Sequence, residues 1–133
     1  MRKLIIDSTS FSPKVILDPE NKFYQISGES RPPDVREFYD PIISWLDDFS
    51  LHLIKTDDKK DKVAFNFNLE YFNSSSAKLI LDVCKILARL HSEGINITIN
   101  WYFEKDDTDM LEAGKEMSVI VKLPFEYIES EVN

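Results

Sequence analysis

The segment from Val63 to Trp101 constrains the fold of this chain more than any other, because it combines two different periodicities. From Val63 to Glu70 apolar and polar residues alternate with a period of two, and Ile95 to Trp101 repeats that alternation. This pattern is typical of strands that are buried on one face. Residues 77–92, between the strands, are apolar apart from one narrow polar stripe, which indicates a buried helix. Two strands joined through a helix predict an adjacent, parallel pair.

The alternation also assigns a face to each residue of the two central strands. Odd-numbered positions are apolar, and even-numbered positions are polar apart from Ala64. A parallel sheet that is covered on both sides is apolar on both sides, so these strands predict helices mainly on one face. The residues predicted for the core are Phe65, Phe67, Ile97, Ile99 and Trp101, and those predicted for a wetter face are Asn66, Asn68 and Asn100.

Shorter patterns predict the elements before this unit. Strands are predicted at residues 3–7, 15–17 and 23–26. The second and third are expected to form a hairpin, because a turn-forming sequence with proline and asparagine separates them. A helix is predicted from Val35 onwards. Within it, either Asp40 caps a new helix with Pro41 at its first position, or Pro41 kinks the first turn.

The remaining segments, on either side of the central unit, are predicted less sharply. Residues 56–62 form a charged loop, Met110 to Met117 a short helix, and Val119 to Val121 a last strand or extended segment before an irregular tail. The sequence therefore predicts an α/β fold with a mixed sheet and the order β-β-β-α-β-α-β-α. A length of 133 residues predicts one domain over 1–133.

Composition excludes several classes of function. The formal net charge is −8, whereas nonspecific binding to nucleic acid or to an anionic membrane requires a basic surface. No apolar run reaches membrane-spanning length, and the start of the sequence lacks the pattern of a signal peptide. The expected location is the cytoplasm, with no nucleic-acid or membrane partner. Cys84 lies in the apolar helix and is expected in the core.

No catalytic or metal-binding motif is present in the sequence. Neither His52 nor His91 belongs to a recognisable constellation with Ser, Cys or Asp, and the 3 glycines of the chain cannot form a phosphate-binding loop. Asp107 and Asp109 alternate as in a calcium loop, but the central glycine and the closing glutamate are missing. We therefore expect no enzyme, no cofactor and no metal site.

The run from Asn73 to Ser76 lies where the first central strand passes into the helix. Its simplest interpretation is that Ser74, Ser75 or Ser76 caps the helix. The same position would stabilise a covalently attached phosphate, because free backbone N–H groups and the positive end of the helix dipole face it. Parallel strands end at one edge of a sheet, so this turn and the acidic segment 104–109 are expected to converge there.

Three strings connect the chain with a known family: GESRPPDVREFYDPIISWL, NFNLEYFNSSSAKLILDV and ITINWYFEKDDTDMLEAGKE. Over nearly its whole length the chain resembles the SiaC-like family of bacterial regulatory phosphoproteins. The resemblance implies a single STAS-like domain, similar to the anti-sigma-factor antagonists. It also implies a phosphoprotein switch in which a histidine-kinase-like Ser/Thr kinase adds a phosphate and a PP2C-type phosphatase removes it.

The resemblance further implies what the switch controls. In the family the unphosphorylated form binds and activates a diguanylate cyclase. The family's modified residue, usually threonine, follows Tyr-Phe/Leu-Asn directly, and here that position is Ser74, with Ser75 as the alternative. Topology predicts the partner-binding surface at the same sheet edge: Tyr71, Asn73, Ser75, Ser76, Lys78, Glu104, Asp106, Asp107 and Asp109.

Two other functions remain open from the sequence. An anti-sigma-factor antagonist would have the same fold but would release a sigma factor, and an anti-sigma kinase and a sigma factor encoded beside it would indicate that role. A small acidic metal-dependent enzyme could use the carboxylates of Glu104, Asp106, Asp107 or Asp109. Tight, stoichiometric binding of calcium, magnesium or manganese would favour the enzyme.

Overall fold

The computed structural model describes residues 1–56 and 62–130, so most of the charged loop predicted at 56–62 lies outside the described residues. The elements are β1 (Leu4–Ile6), β2 (Lys14–Asp18), β3 (Phe23–Ser30), α1 (Val35–Lys55), β4 (Lys62–Phe72), α2 (Ser74–Ser92), β5 (Asn96–Glu104), α3 (Thr108–Val121) and β6 (Glu126–Ser130). The described strands form one mixed sheet in the order β1-β2-β3-β4-β5-β6. The first three pair antiparallel, and β3 to β6 pair parallel.

The central strands confirm the alternation seen in the sequence. Strands β4 and β5 are parallel neighbours, with Phe65 opposite Ile99 and Phe67 opposite Trp101, and all four side chains are buried. The asparagines between them stay half-exposed, and Asn100 Nδ2 donates to Asn66 Oδ1 at 2.9 Å. The helices therefore cover one face of these strands and leave the asparagine face wet, as predicted.

The core lies between the sheet and the three helices. Fully buried Leu46 of α1 and Leu87 of α2 belong to the same apolar cluster as Phe65 and Trp101 of the sheet. Complete burial of one such side chain stabilises the fold by about 1.5–3 kcal/mol. This cluster packs the helices against one face of the sheet.

Helix α1 resolves the ambiguity at Pro41. The helix begins at Val35, with the Asp34 side chain accepting a hydrogen bond from Glu37 N at 3.0 Å, and it continues through Pro41 to Lys55. The alternative in which Asp40 caps a new helix is therefore wrong. Pro41 lies inside the helix, beyond its first turn, so it removes the hydrogen bond that an N–H at this position would donate to Glu37 O.

The C-terminal region differs from the sequence prediction. Val119 to Val121 are the last turn of α3, which ends at Lys122 in the left-handed conformation (φ 58°), so the strand predicted there is wrong. A sixth strand follows at Glu126–Ser130, paired parallel with β5. Its sequence, EYIES, has too few apolar residues for the pattern to show. It is a strand because it hydrogen-bonds to the edge of β5.

Candidate functional site

The turn between β4 and α2 places two serines at the start of a long helix. Asn73 is the N-cap: its side-chain oxygen accepts from Ser76 N at 2.9 Å, and its carbonyl accepts from Ala77 N at 2.9 Å. The prediction that a serine caps the helix is therefore wrong. The asparagine takes that role, and Ser74 and Ser75 become the first two helical residues, both with exposed side chains.

The backbone donors of this turn are only partly used. The N–H of Asn73 donates to Ser30 O at 3.1 Å, and the N–H of Ser76 donates to the Asn73 side chain. Within residues 1–56 and 62–130, the N–H groups of Ser74 and Ser75 have no acceptor. Helix starts leave such donors free, and together with the helix dipole they favour a negative charge. The first turn of α2 contains no acidic residue, in contrast to Glu37 in α1.

Ser76 is the one predicted partner-binding residue that does not reach the surface. Its side chain is 0% exposed, and its hydroxyl donates to Ser30 O at 2.9 Å and accepts from Ser30 Oγ at 2.9 Å. Ser30 Oγ also lies 2.6 Å from Tyr39 OH. The expectation that the Ser76 side chain binds a partner is therefore corrected: it anchors α2 to β3 and α1 inside the protein.

A bulge at the end of β4 explains why Tyr71 is exposed. Gly28 of β3 pairs with Leu69, but the next residue pairs with Tyr71, so Glu70 is an extra residue in β4. Bulges reverse the side-chain alternation beyond them. The inward position consequently passes from Tyr71 to Phe72, whose ring packs edge-on against Trp101 with ring centroids 6.2 Å apart. Tyr71 is left 50% exposed immediately before the serine turn.

The end of β4 and part of the acidic segment line one pocket, whereas none of the serine-turn residues 73–76, for which the convergence was predicted, is among the lining residues. Residues from both regions line a pocket of about 270 Å³: Glu70, Tyr71, Phe72, Asp107, Asp109, Met110 and Ala113. Asp107 also caps α3, because its carboxylate accepts from Met110 N at 3.0 Å. The pocket thus has an apolar floor and a carboxylate rim beside an exposed aromatic ring.

Three other predicted residues do not line this pocket. Lys78 is exposed on α2, one turn after Ser74. Glu104 ends β5, and Asp106 lies in the exposed turn that follows. The structure therefore brings Tyr71, Asp107 and Asp109 together in one pocket and leaves these three outside its lining.

Sequence reasoning missed the buried residues that hold the site in place. Ser30 and Tyr39 belong to elements that precede β4 in the chain, and neither lies in a recognisable motif. A signal was nevertheless present, since Ser30 continues the core-facing positions of β3 after Tyr24 and Ile26, allowing for the irregular pairing at Gly28. A polar residue at a core-facing position requires a hydrogen-bond partner.

The described residues were also compared with the requirements of a metal site, a reactive thiol and a membrane-spanning helix. No group of three or more His, Cys, Asp or Glu side chains in the described ranges is arranged to hold a metal ion. Cys84 is fully buried, and burial raises the pKa of its thiol, so it is not an activated nucleophile. None of the helices described is both long enough and apolar enough to cross a membrane.

Comparison with known proteins identifies a family. The family model of the SiaC family regulatory phosphoproteins matches residues 6–130. An uncharacterised protein of Pseudomonas aeruginosa strain UCBPP-PA14 is 23% identical over 125 residues, which are 94% of each sequence.

Solved structures show the same fold. The crystal structure of apo-SiaC from P. aeruginosa is similar with a TM-score of 0.83 at 23% identity, covering 96% of this chain and 99% of that one. The crystal structure of the P. aeruginosa diguanylate cyclase SiaD in complex with its activator SiaC contains a chain with a TM-score of 0.83 at 22% identity, with coverage of 96% and 99%.

Proposed function

The chain belongs to the SiaC family of regulatory phosphoproteins, and from this premise we propose that it is a phosphorylation-controlled protein-binding switch. The unphosphorylated form binds and activates a diguanylate cyclase, and phosphate on Ser74 prevents that binding. A histidine-kinase-like Ser/Thr kinase adds the phosphate and a PP2C-type phosphatase removes it. The catalysis belongs to these partners, and this chain supplies an acceptor hydroxyl and a docking surface.

The observation that carries the proposal is the environment of Ser74. Its hydroxyl is exposed, and two backbone N–H donors at positions 74 and 75 are unused among the described residues. Phosphoryl transfer from ATP breaks the Oγ–H bond, forms an Oγ–P bond, and releases ADP and a proton. The product carries about 1.5 to 2 negative charges, which the helix start stabilises. The fold is therefore expected to survive modification.

The surface around Tyr71, three residues before Ser74, supports the proposal that the same charge prevents binding. Tyr71 is exposed beside an apolar pocket whose rim already carries the carboxylates of Asp107 and Asp109. A partner that docks on this surface meets a neutral hydroxyl at Ser74 before modification and a phosphate afterwards. Desolvating that charge beside existing carboxylates costs several kcal/mol, and each 1.4 kcal/mol lowers affinity tenfold.

The identity of the target rests on the family and on a structural likeness. In the P. aeruginosa complex the activator SiaC is bound to the diguanylate cyclase SiaD, and a chain of that complex shares the fold described above. A diguanylate cyclase of the source organism is accordingly the partner to test first.

The proposal is tested with protein that carries genetically encoded phosphoserine at position 74, with phosphoserine at Ser75 as the matched control. Binding to the organism's diguanylate cyclase is measured by calorimetry, and synthesis of cyclic di-GMP is measured in parallel. We expect the unmodified chain to bind and activate, and phosphoserine 74 to weaken binding by at least about tenfold. Equal affinities for the unmodified chain and the chain with phosphoserine 74 would contradict the proposal, as would the absence of any binding by the unmodified chain.

A further inference from the structure

One backbone carbonyl holds both sides of the turn that carries Ser74. Ser30 O accepts from Asn73 N at 3.1 Å and from Ser76 Oγ at 2.9 Å. These donors flank Ser74 and Ser75 on either side. A carbonyl oxygen has two lone pairs, so both acceptor positions of Ser30 are used by this turn. The end of β3 therefore fixes the start of α2, although 46 residues separate Ser30 from Ser76.

The hydroxyl protons give this network a direction. Each hydroxyl has a single proton. Ser76 gives its proton to Ser30 O, and Ser30 gives its own to Ser76 Oγ. The 2.6 Å contact between Ser30 Oγ and Tyr39 OH must then have the tyrosine as donor. The chain of donation runs from α1 through β3 to α2 and ends on a backbone carbonyl.

Burial makes this chain of hydrogen bonds rigid. Ser30, Tyr39 and Ser76 are all 0% exposed. Burial raises the pKa of Tyr39 to about 12, so its phenol keeps its proton at neutral pH and remains a donor. No buried side-chain nitrogen or oxygen in the described ranges lacks a hydrogen-bond partner. Fully satisfied buried networks of this kind specify one arrangement, because any displaced member loses its partner without gaining water.

We propose that Ser30, Tyr39 and Ser76 are positioning residues for phosphorylation: their hydrogen-bonded chain holds the β4–α2 turn so that the hydroxyl of Ser74, and not that of Ser75, is presented to the kinase. This inference rests on the proposed function. None of the three side chains reaches the surface, so they act through the turn and do not touch the kinase. Without the Ser76 hydroxyl, the hydrogen bond that remains from this turn to β3 among the described residues is that of Asn73 N–H to Ser30 O.

The effect on the reaction follows from geometry. Phosphoryl transfer requires the accepting oxygen in line with the leaving group, and a misplacement of 1 Å can cost about a hundredfold in rate. Loss of the Ser76 anchor frees the turn on the side of Ser75 and leaves the Asn73 anchor in place. The rate at Ser74 is then expected to fall, and part of the phosphate is expected to appear on Ser75.

The test compares Ser76→Ala, Tyr39→Phe and wild type as substrates of the organism's ATP-dependent kinase. Ser50→Ala is the matched control, because Ser50 is also a buried helical serine and its hydroxyl donates to Leu46 O at 2.8 Å. All variants are assayed at a temperature at which circular dichroism shows them folded. Steady-state kinetics give kcat and KM, and mass spectrometry divides the phosphate between Ser74 and Ser75.

We expect Ser76→Ala to lower kcat at Ser74 by about tenfold or more with little change in KM, and to shift phosphate towards Ser75. Tyr39→Phe keeps the ring and loses only the hydroxyl, so it should act in the same direction with a smaller effect. Ser50→Ala should behave as wild type. If Ser76→Ala and Tyr39→Phe are phosphorylated at the wild-type rate and at Ser74, the positioning role is wrong, but the proposed phosphorylation switch is unaffected. If wild type accepts no phosphate, both proposals fail.

Discussion

Gly114 of α3 lies directly against the indole ring of Trp101 in β5: a Cβ at position 114 would come within 2.5 Å of Trp101 Cδ1. The indole N–H donates to Met110 O at 2.9 Å, one turn earlier in the same helix. This close approach places α3 against β5, and the N-cap and first turn of α3 bring Asp107 and Asp109 to the pocket beside Tyr71. The string DMLEAG therefore has a structural reason for its glycine.

Gly114→Ala should destabilise the protein although alanine favours helices. The propensity gain is about 1 kcal/mol, but a methyl group cannot fit beneath the indole without displacing α3, and such overpacking costs about 1–3 kcal/mol. We expect a lower midpoint in urea denaturation followed by tryptophan fluorescence. The exposed Glu112→Ala on the same helix is the control, and a Gly114→Ala protein more stable than this control would contradict the packing described.

Phe67 tests the face assignment of β4. Its ring is buried, with centroids 5.0 Å from Phe65 and 5.5 Å from Trp101. Phe67→Ala should reduce the free energy of unfolding by about 3–5 kcal/mol, because it removes apolar contacts and leaves a cavity. Asn68→Ala, at the next position on the wet face, should change it by about 0.5 kcal/mol or less. Similar losses at both positions, measured in urea, would show that the faces are not distinct.

Tyr39 should make stability depend on pH in the alkaline range. Burial raises the pKa of its phenol from 10.0 to about 12 in the folded protein. The stabilisation is fully present below pH 10 and is lost as pH rises towards 12, because the unfolded chain then releases its proton first. The thermal midpoint of wild type should therefore fall more steeply between about pH 10 and pH 12 than that of Tyr39→Phe. Parallel curves for the two proteins would contradict a buried, protonated Tyr39.

The sequence predicted the central unit well because its information is local and periodic. Burial of Phe65 and Trp101 follows from alternation alone. The exposure of Tyr71 does not, since it depends on an extra residue in β4 that only the pairing with β3 reveals. The network around Ser30 was also out of reach, because it joins three elements that are distant in sequence.

Two aspartates of the acidic segment are expected to have different roles: Asp107 in stability and Asp106 in binding. Asp107 caps α3 by accepting a hydrogen bond from Met110 N, so Asp107→Lys should lower the free energy of unfolding by about 0.5–2 kcal/mol. Asp106 is exposed, so Asp106→Lys should leave the thermal midpoint nearly unchanged. Asp107→Asn is the control, because asparagine retains the cap and removes the charge. We expect Asp106→Lys to weaken binding of the diguanylate cyclase in calorimetry. Unchanged affinity would mean that Asp106 is solvated surface.

The central claim is that Ser74 is the phosphoacceptor whose modification ends partner binding. Wild type, Ser74→Ala and Ser75→Ala are incubated with the cognate kinase and ATP, and the phosphate is mapped by mass spectrometry of intact protein and peptides. The account predicts one phosphate on wild type and on Ser75→Ala, located at Ser74, and none on Ser74→Ala, which should bind the cyclase whether or not the kinase is present. Full labelling of Ser74→Ala would contradict it.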